Sequence, residues 1–326
     1  MTTASRSLFA AVLAAGLSLL APLHGQAQPA SPAASCPPAA IPLSPERFQA
    51  GMRQAQDHGF LWQMTKDGRT SYLYGTLHAA EPGWMFPGPR TAAAFEASDV
   101  LALELDVLDA DVRARLLKAA NARPDERLPA ALTARLEKRM SDECIDAEAM
   151  RPFVPEFQIA SLAMMAARRD GLDPSYAIDL VLALAARDFG KATTSLETPE
   201  AQIAALRMPT REATIEFVSS GLDELDAGKS APLLAHIASA WIGGNLPELE
   251  NYERWCSCLD TAAERASMKR LLGDRNPVLA VAIDKVHTGG RSVFAAVGSL
   301  HMIGARGLPA LMRERGYAVE PVRFDR

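Results

Sequence analysis

Ser71-Tyr72-Leu73-Tyr74-Gly75-Thr76-Leu77-His78 and Ser292-Val293-Phe294-Ala295-Ala296-Val297-Gly298-Ser299-Leu300-His301 share one plan, an apolar run followed by Gly-x-x-His. The apolar runs have the length and composition of buried strands. The glycine after each run lets the backbone turn or approach a ligand closely. In α/β sheets, sites are assembled where strands end, so both histidines stand at site positions. Because the two copies lie near opposite ends of the chain, one sheet is expected to draw on both ends.

The surrounding sequence supplies the rest of that sheet. Phe60 to Thr65 and Ser71 to Leu77 flank Lys66-Asp67-Gly68-Arg69, whose Asp-Gly pair signals a hairpin turn. Val100 to Leu105 reads as a short buried strand and Ala192 to Leu196 as another. From Asp109 to about Arg187 the apolar spacing becomes three and four, with breaks near Pro124, Pro152 and Gly171-Leu172-Asp173-Pro174, which predicts consecutive helices. Thr198-Pro199-Glu200 opens a further helix with Thr198 as N-cap, and helices continue to about Leu272. Asn276 is read as the N-cap of the helix that precedes the second strand-Gly-x-x-His unit. Leu308 to Arg315 and Tyr317 to Val322 then close the chain as helix and strand, as in a βαβ unit. The expected class is α/β: a central sheet from the N- and C-terminal segments, with a large helical insertion at about 109–190 and 199–272.

Carboxylates complete the candidate site. Glu104 interrupts an otherwise aliphatic strand, where an unpaired carboxylate is costly and calls for a metal, a cationic partner or a proton-transfer role. Glu197 stands at the next strand end, as a second candidate or as a solvated or capping residue. Two imidazoles with one or two carboxylates suit zinc, manganese, iron or cobalt, and the pattern does not choose among them. His58 and His287 lie beside glycines near expected helix ends, and His236 lies within a helix, all three as structural residues.

Of the 326 residues, 34 are basic and 39 acidic, a net charge of -5, and 48% are hydrophobic. That balance buries a core and, without a basic stripe, excludes a dedicated nucleic-acid binder. Arg6 precedes the apolar run Leu8 to Leu20, and Gly25-Gln26-Ala27 supplies small residues, which predicts a signal peptide (1–27) cleaved near Ala27. The run is shorter than the roughly 20 residues that span a bilayer, so no stable membrane insertion is expected after cleavage. The expected location is periplasmic or secreted. Residues 28–46, rich in proline, alanine and serine, are expected to form a tether before a domain at 47–326. Export favours disulfides among Cys36, Cys144, Cys256 and Cys258. Cys256 and Cys258 are too close in sequence to bridge well and are expected to pair elsewhere, with Cys144 as one partner.

The segments Phe60-Leu61-Trp62-Gln63, Tyr72 to His78, Leu103-Glu104-Leu105-Asp106, Ser195 to Gln202, Arg275-Asn276-Pro277 and Val297 to Gly304 together resemble the TraB/GumN family, related to the TIKI metalloproteases. The resemblance covers nearly the whole chain after the tether. It implies a fold similar to the erythromycin-esterase and ChaN group and a metal-dependent peptide hydrolase. The matching positions are His78, Glu104 and His301 for a divalent metal, with Glu197 as a further carboxylate. On metal chemistry Glu104 is expected as ligand or general base, and Arg275 either to stabilise an oxyanion or hold a substrate carboxylate or to form a surface pair. Ala79-Ala80 departs from the residues usual after the first histidine, and the helical middle carries no substrate signature. A Gly-x-Ser-x-Gly elbow is absent, which argues against a serine hydrolase. The alternative is a non-catalytic periplasmic protein that binds peptide, metal or haem, or that regulates a partner. Oligomeric state is not legible.

Overall fold

The computed structural model describes residues 36–42, 44–256, 259 and 261–324. Helix α1 (Pro45–Gln54) leads into a hairpin of β1 (Phe60–Lys66) and β2 (Arg69–Thr76). Asp67 and Gly68 both take left-handed backbone (φ 50° and 71°), the geometry of a two-residue turn that follows the strand twist. After α2 (Pro89–Glu96) comes β3 (Val100–Leu103), then α3 (Ala110–Ala120), α4 (Ala130–Asp142), α5 (Ala147–Met150), α6 (Pro155–Ala166) and α7 (Ile178–Asp188). Strand β4 (Ala192–Ser195) separates these from α8 (Pro199–Leu206), α9 (Arg211–Asp226), α10 (Ser230–Ile242), α11 (Leu246–Glu250), α12 (Tyr252–Trp255) and α13 (Ala262–Met268). The chain ends with α14 (Asn276–Thr288), β5 (Val293–Gly298), α15 (Leu308–Glu314) and β6 (Ala318–Pro321).

The six strands form one sheet in the order β4-β3-β5-β2-β1-β6. Strands β4, β3, β5 and β2 are mutually parallel, and β1 is antiparallel to both β2 and β6. The α/β class and the union of both chain ends in one sheet therefore hold. Every residue of β3 and β5 is buried, as expected for central parallel strands covered on both faces. Burying each aliphatic side chain there contributes about 1.5–3 kcal/mol relative to exposure. Leu73, Leu101, Phe294 and Val297 belong to the sheet core, into which Trp241 of α10 and Ile283 of α14 also pack. A second core unites the insertion: Leu116, Leu136, Phe157, Ile159, Phe217 and Leu222 pack together from α3, α4, α6 and α9.

Several expectations need correction. Strand β3 stops at Leu103, so Glu104 lies just past its carboxyl end rather than within it. Strand β6 runs in the same direction as β5 but pairs with β1, because β2 and β3 already take both edges of β5. Thr198 caps α8 as expected, its hydroxyl accepting from Ala201 N–H at 3.2 Å. Asn276 is the first residue of α14, not its cap, and its side chain points elsewhere. Part of the expected tether is fastened: Cys36 is disulfide-bonded to Cys144 at a Cα separation of 5.6 Å. Five residues further on, Ile41 N–H donates to Tyr176 Oη at 2.6 Å. That bridge takes Cys144 away from the Cys256–Cys258 pair; Cys256 is disulfide-bonded too, and Cys258 lies outside the described residues. The expected signal peptide also lies outside them, and among the described residues no helix is long and apolar enough to cross a membrane.

Candidate active site

The parallel arrangement brings the carboxyl ends of β4, β3, β5 and β2 to one edge of the sheet, carrying Glu197, Glu104, His301 and His78 respectively. Register pairs Gly75 with Val297 and Thr76 with Gly298, so the two Gly-x-x-His units leave the sheet side by side. Past the strands, Leu196 N–H donates to Leu103 O (2.8 Å) and Glu197 N–H to Glu104 O (3.3 Å), which sets the two glutamates next to each other. The sheet thus gathers all five sequence-derived candidates, Arg275 included. The structural histidines stay apart: His287 is buried between Ser71 Oγ and Lys66 O, and His236 stacks on Trp255 at the surface.

Each histidine is fixed from behind. Ile178 N–H donates to Leu77 O (2.9 Å), docking the start of α7 beside His78. Asp179, one residue on, takes a hydrogen bond from His78 Nδ1 at 3.3 Å. A carboxylate only accepts, so Nδ1 carries a proton, and in the neutral imidazole the lone pair is on Nε2. That Nε2 is buried with no hydrogen-bond partner, 3.8 Å from Glu104 Oε1. His301, fully buried, places Nδ1 2.5 Å from Asn276 Oδ1. Asn276 Nδ2 donates to Arg306 O (2.8 Å), which fixes the amide's orientation and makes His301 Nδ1 the donor. His301 Nε2 then turns its lone pair toward Arg275 Nη1 at 3.3 Å, with Glu104 Oε2 at 3.9 Å.

Arg275, 5% exposed, immediately precedes α14 and engages all three of its nitrogens. Nε donates to Glu197 Oε2 (3.0 Å), Nη2 to both Glu197 Oε1 and Glu104 Oε2, and Nη1 to Leu271 O (3.0 Å). Gln202 of α8 also spans the two carboxylates through Nε2. Gly298 N–H donates to Glu104 Oε1 at 2.9 Å.

These contacts decide the charges. Burial alone would raise the pKa of Glu104, but Arg275 and the two imidazoles outweigh it and lower it to about 2. Burial dominates at Glu197 and pushes its carboxyl up despite Arg275. At His78 burial opposes the charged form, yet the charge and hydrogen bond of Asp179, with Glu104, raise the pKa overall. Among the described residues no group of three or more His, Cys, Asp and Glu side chains is disposed to hold a metal as it stands. The reason is physical: the guanidinium of Arg275 occupies the side of Glu104 that faces His301.

Asp179, Gln202 and the role of Asn276 were not legible beforehand. Gln202 and Asn276 fall inside segments that carry the family resemblance, which marks the neighbourhood but not the contact. No curated protein and no solved structure matches the chain. The TraB/PrgY/gumN family does match, over residues 60–321, a span that runs from the first strand to the last and takes in every residue of this cluster. The chain belongs to the TraB/PrgY/gumN family.

Proposed function

We propose that this protein is an exported, metal-dependent hydrolase acting on a peptide or protein substrate, with a divalent cation held by His78, Glu104 and His301. The observation that carries the proposal is the convergence of two Nδ1-anchored imidazoles on one ionised carboxylate at the carboxyl edge of the sheet. Backing of each imidazole by a second hydrogen-bonding group is the usual support of a metal-binding histidine. The donors suit a cation. His78 Nε2 is an orphaned buried lone pair, and a Cβ built on Gly298 would lie 3.2 Å from it and 3.3 Å from Glu104 Oε1, so the missing side chain leaves a cradle between them. Bringing His301 Nε2 into the same set requires Arg275 Nη1 to withdraw from it.

When bound, such a cation lowers the pKa of its water toward neutrality and polarises a carbonyl. The chain's own residues do the rest. Glu104, whose carboxyl Arg275 holds below the usual carboxylate range, offers an ionised oxygen as ligand. Arg275, with every nitrogen engaged, positions Glu104 and Glu197 rather than meeting substrate. Asp179 and Asn276 hold the Nε2 lone pairs toward the site. Ser299 is no free nucleophile, since its hydroxyl donates to Thr76 O at 2.8 Å. Export rests on Arg6, the Leu8 to Leu20 run and Gly25-Gln26-Ala27.

The second reading is a periplasmic protein that binds peptide, metal or haem without turnover. It is favoured by Arg275, which balances the buried carboxylates without any further cation. Metal analysis of the mature protein, with peptide-library cleavage in the presence and absence of chelator, separates the two. Stoichiometric metal and chelator-sensitive cleavage, lost in His78→Ala, His301→Ala and Glu104→Gln, is the expected result. Cleavage that survives both histidine substitutions would end the hydrolase mechanism, and bound metal without turnover would establish the binding role.

A further inference from the structure

A small cavity open to solvent, with about 40 Å³ for the centres of water-sized groups, has His78, Gly298 and His301 in its wall. Much of the remaining lining is apolar: Leu77, Met164, Leu172, Leu234, Ile237 and Leu300, drawn from both ends of the chain and from the helical insertion. Among the described residues, no Asp, Glu, Lys or Arg lines the cavity. Beyond the histidines, its polar side chains are two hydroxyls, and they differ. Ser299 is committed to Thr76 O, whereas Thr76 Oγ1 is buried without a hydrogen-bond partner. An apolar enclosure with one or two polar handles is how a site recognises part of a small molecule or a side chain.

We propose that this cavity receives an aliphatic side chain, that of leucine, isoleucine or methionine, next to the scissile amide of a peptide substrate. The inference rests on the hydrolase reading and adds the substrate class. Hydrolysis breaks the amide C–N bond, the water oxygen joins the carbonyl carbon, and the water's protons end on the leaving amine and the new acid. A lysine in the same cavity would be buried with no carboxylate on the wall to pair with, and an aspartate could pair only with the cation, in competition with the scissile carbonyl; both are unfavourable. A substrate with aspartate or lysine at that position is therefore rejected by tenfold or more, on the order of what an apolar pocket discriminates.

The test uses the mature full-length protein and internally quenched peptides identical except at one position, which carries Leu, Ile, Met, Ala, Phe, Asp or Lys. The expected result is kcat/KM about tenfold or more higher for Leu, Ile or Met than for Asp or Lys. Leu234→Ala, which enlarges the cavity, moves the optimum toward Phe, and Ala238→Leu, which shrinks it, moves the optimum toward Ala. Either variant suffices if the other fails to fold. Cleavage that treats Asp or Lys like Leu overturns the pocket assignment while leaving the hydrolase intact. If no peptide is cleaved, the hydrolase reading fails, and the pocket is decided by binding, with N-acetyl-leucinamide and N-acetyl-aspartamide titrated by NMR. Binding of the leucine compound at least about tenfold tighter supports the pocket, and equal or absent binding overturns it.

Discussion

Alanine at position 298 would put a methyl carbon 3.2 Å from His78 Nε2, 3.3 Å from Glu104 Oε1 and 3.7 Å from His301 Cδ2. The backbone tolerates the change, since Gly298 sits at φ -48° and ψ 138°, within reach of any residue. Contacts of 3.2–3.3 Å ask the neighbours to give by a few tenths of an ångström, an overpacking cost of about 1 kcal/mol. In a chain of this size that lowers Tm by about 2 °C. The effect on the site is far larger, because a cation bonded at about 2.0–2.2 Å to the same nitrogen and oxygen has no room beside that methyl. Mn²⁺ affinity in Gly298→Ala is therefore expected to fall by about a hundredfold or more, close to 3 kcal/mol. Gly75→Ala is the matched control: its Cβ would meet Ser299 Oγ at 3.1 Å and Met302 Cγ at 3.4 Å, so it strains packing without entering the cradle. Isothermal titration with Mn²⁺ and thermal melts of the two variants check this. Wild-type affinity in Gly298→Ala, or equal loss of affinity in Gly75→Ala, would refute the reasoning.

The charge pattern makes further predictions. Asp179 raises the pKa of His78, so in the wild type that interaction stabilises the fold below about pH 6.5, the ordinary histidine value, and fades as pH rises through the raised one. Asp179→Asn should thus lower Tm more at pH 5 than at pH 8.5 and move the acid limit of metal binding to lower pH; an unchanged pH profile would count against the His78–Asp179 pair. Arg275→Met strands Glu104 and Glu197 in the interior and should cost about 3–5 kcal/mol in chemical denaturation. The double variant Arg275→Met/Glu197→Gln should recover part of that loss, and strict additivity would deny the coupling. The Cys36–Cys144 bridge spans 108 residues, and its loss in the Cys36→Ser/Cys144→Ser variant should cost about 2–4 kcal/mol, read as a lower Tm in non-reducing buffer; an unchanged Tm would show that the bridge contributes nothing.

Strand-borne features were legible in the sequence because they are local. Asp67-Gly68 fixes a hairpin by its own backbone preference, and an apolar run ending in Gly-x-x-His marks a strand and its end wherever the strand goes. That one sheet draws on both ends of the chain was legible in this way, whereas the direct pairing of β2 with β5 was not. What failed to show depends on contacts between distant segments. Asp179, near the start of α7, looks like any acidic residue favoured at a helix N-terminus, and only the docking of that helix on Leu77 O turns it toward His78. Asn276 resembles a cap for the same reason, yet its amide serves His301 and Arg306 O. The pairing of Cys36 with Cys144 and the placement of β6 beside β1 carry no local signal, since each depends on which partners the rest of the fold leaves available.

The central claim is that the two Gly-x-x-His units converge on a single cation site shared with Glu104. Anomalous X-ray scattering from crystals of the mature protein grown or soaked with Mn²⁺ tests it directly. A single strong peak within about 2.0–2.3 Å of His78 Nε2 and a Glu104 oxygen, with His301 Nε2 as a further ligand and Arg275 Nη1 drawn away from it, is the predicted result. A peak elsewhere, or none at saturating Mn²⁺ with Arg275 still bridging Glu104 and His301, would contradict it.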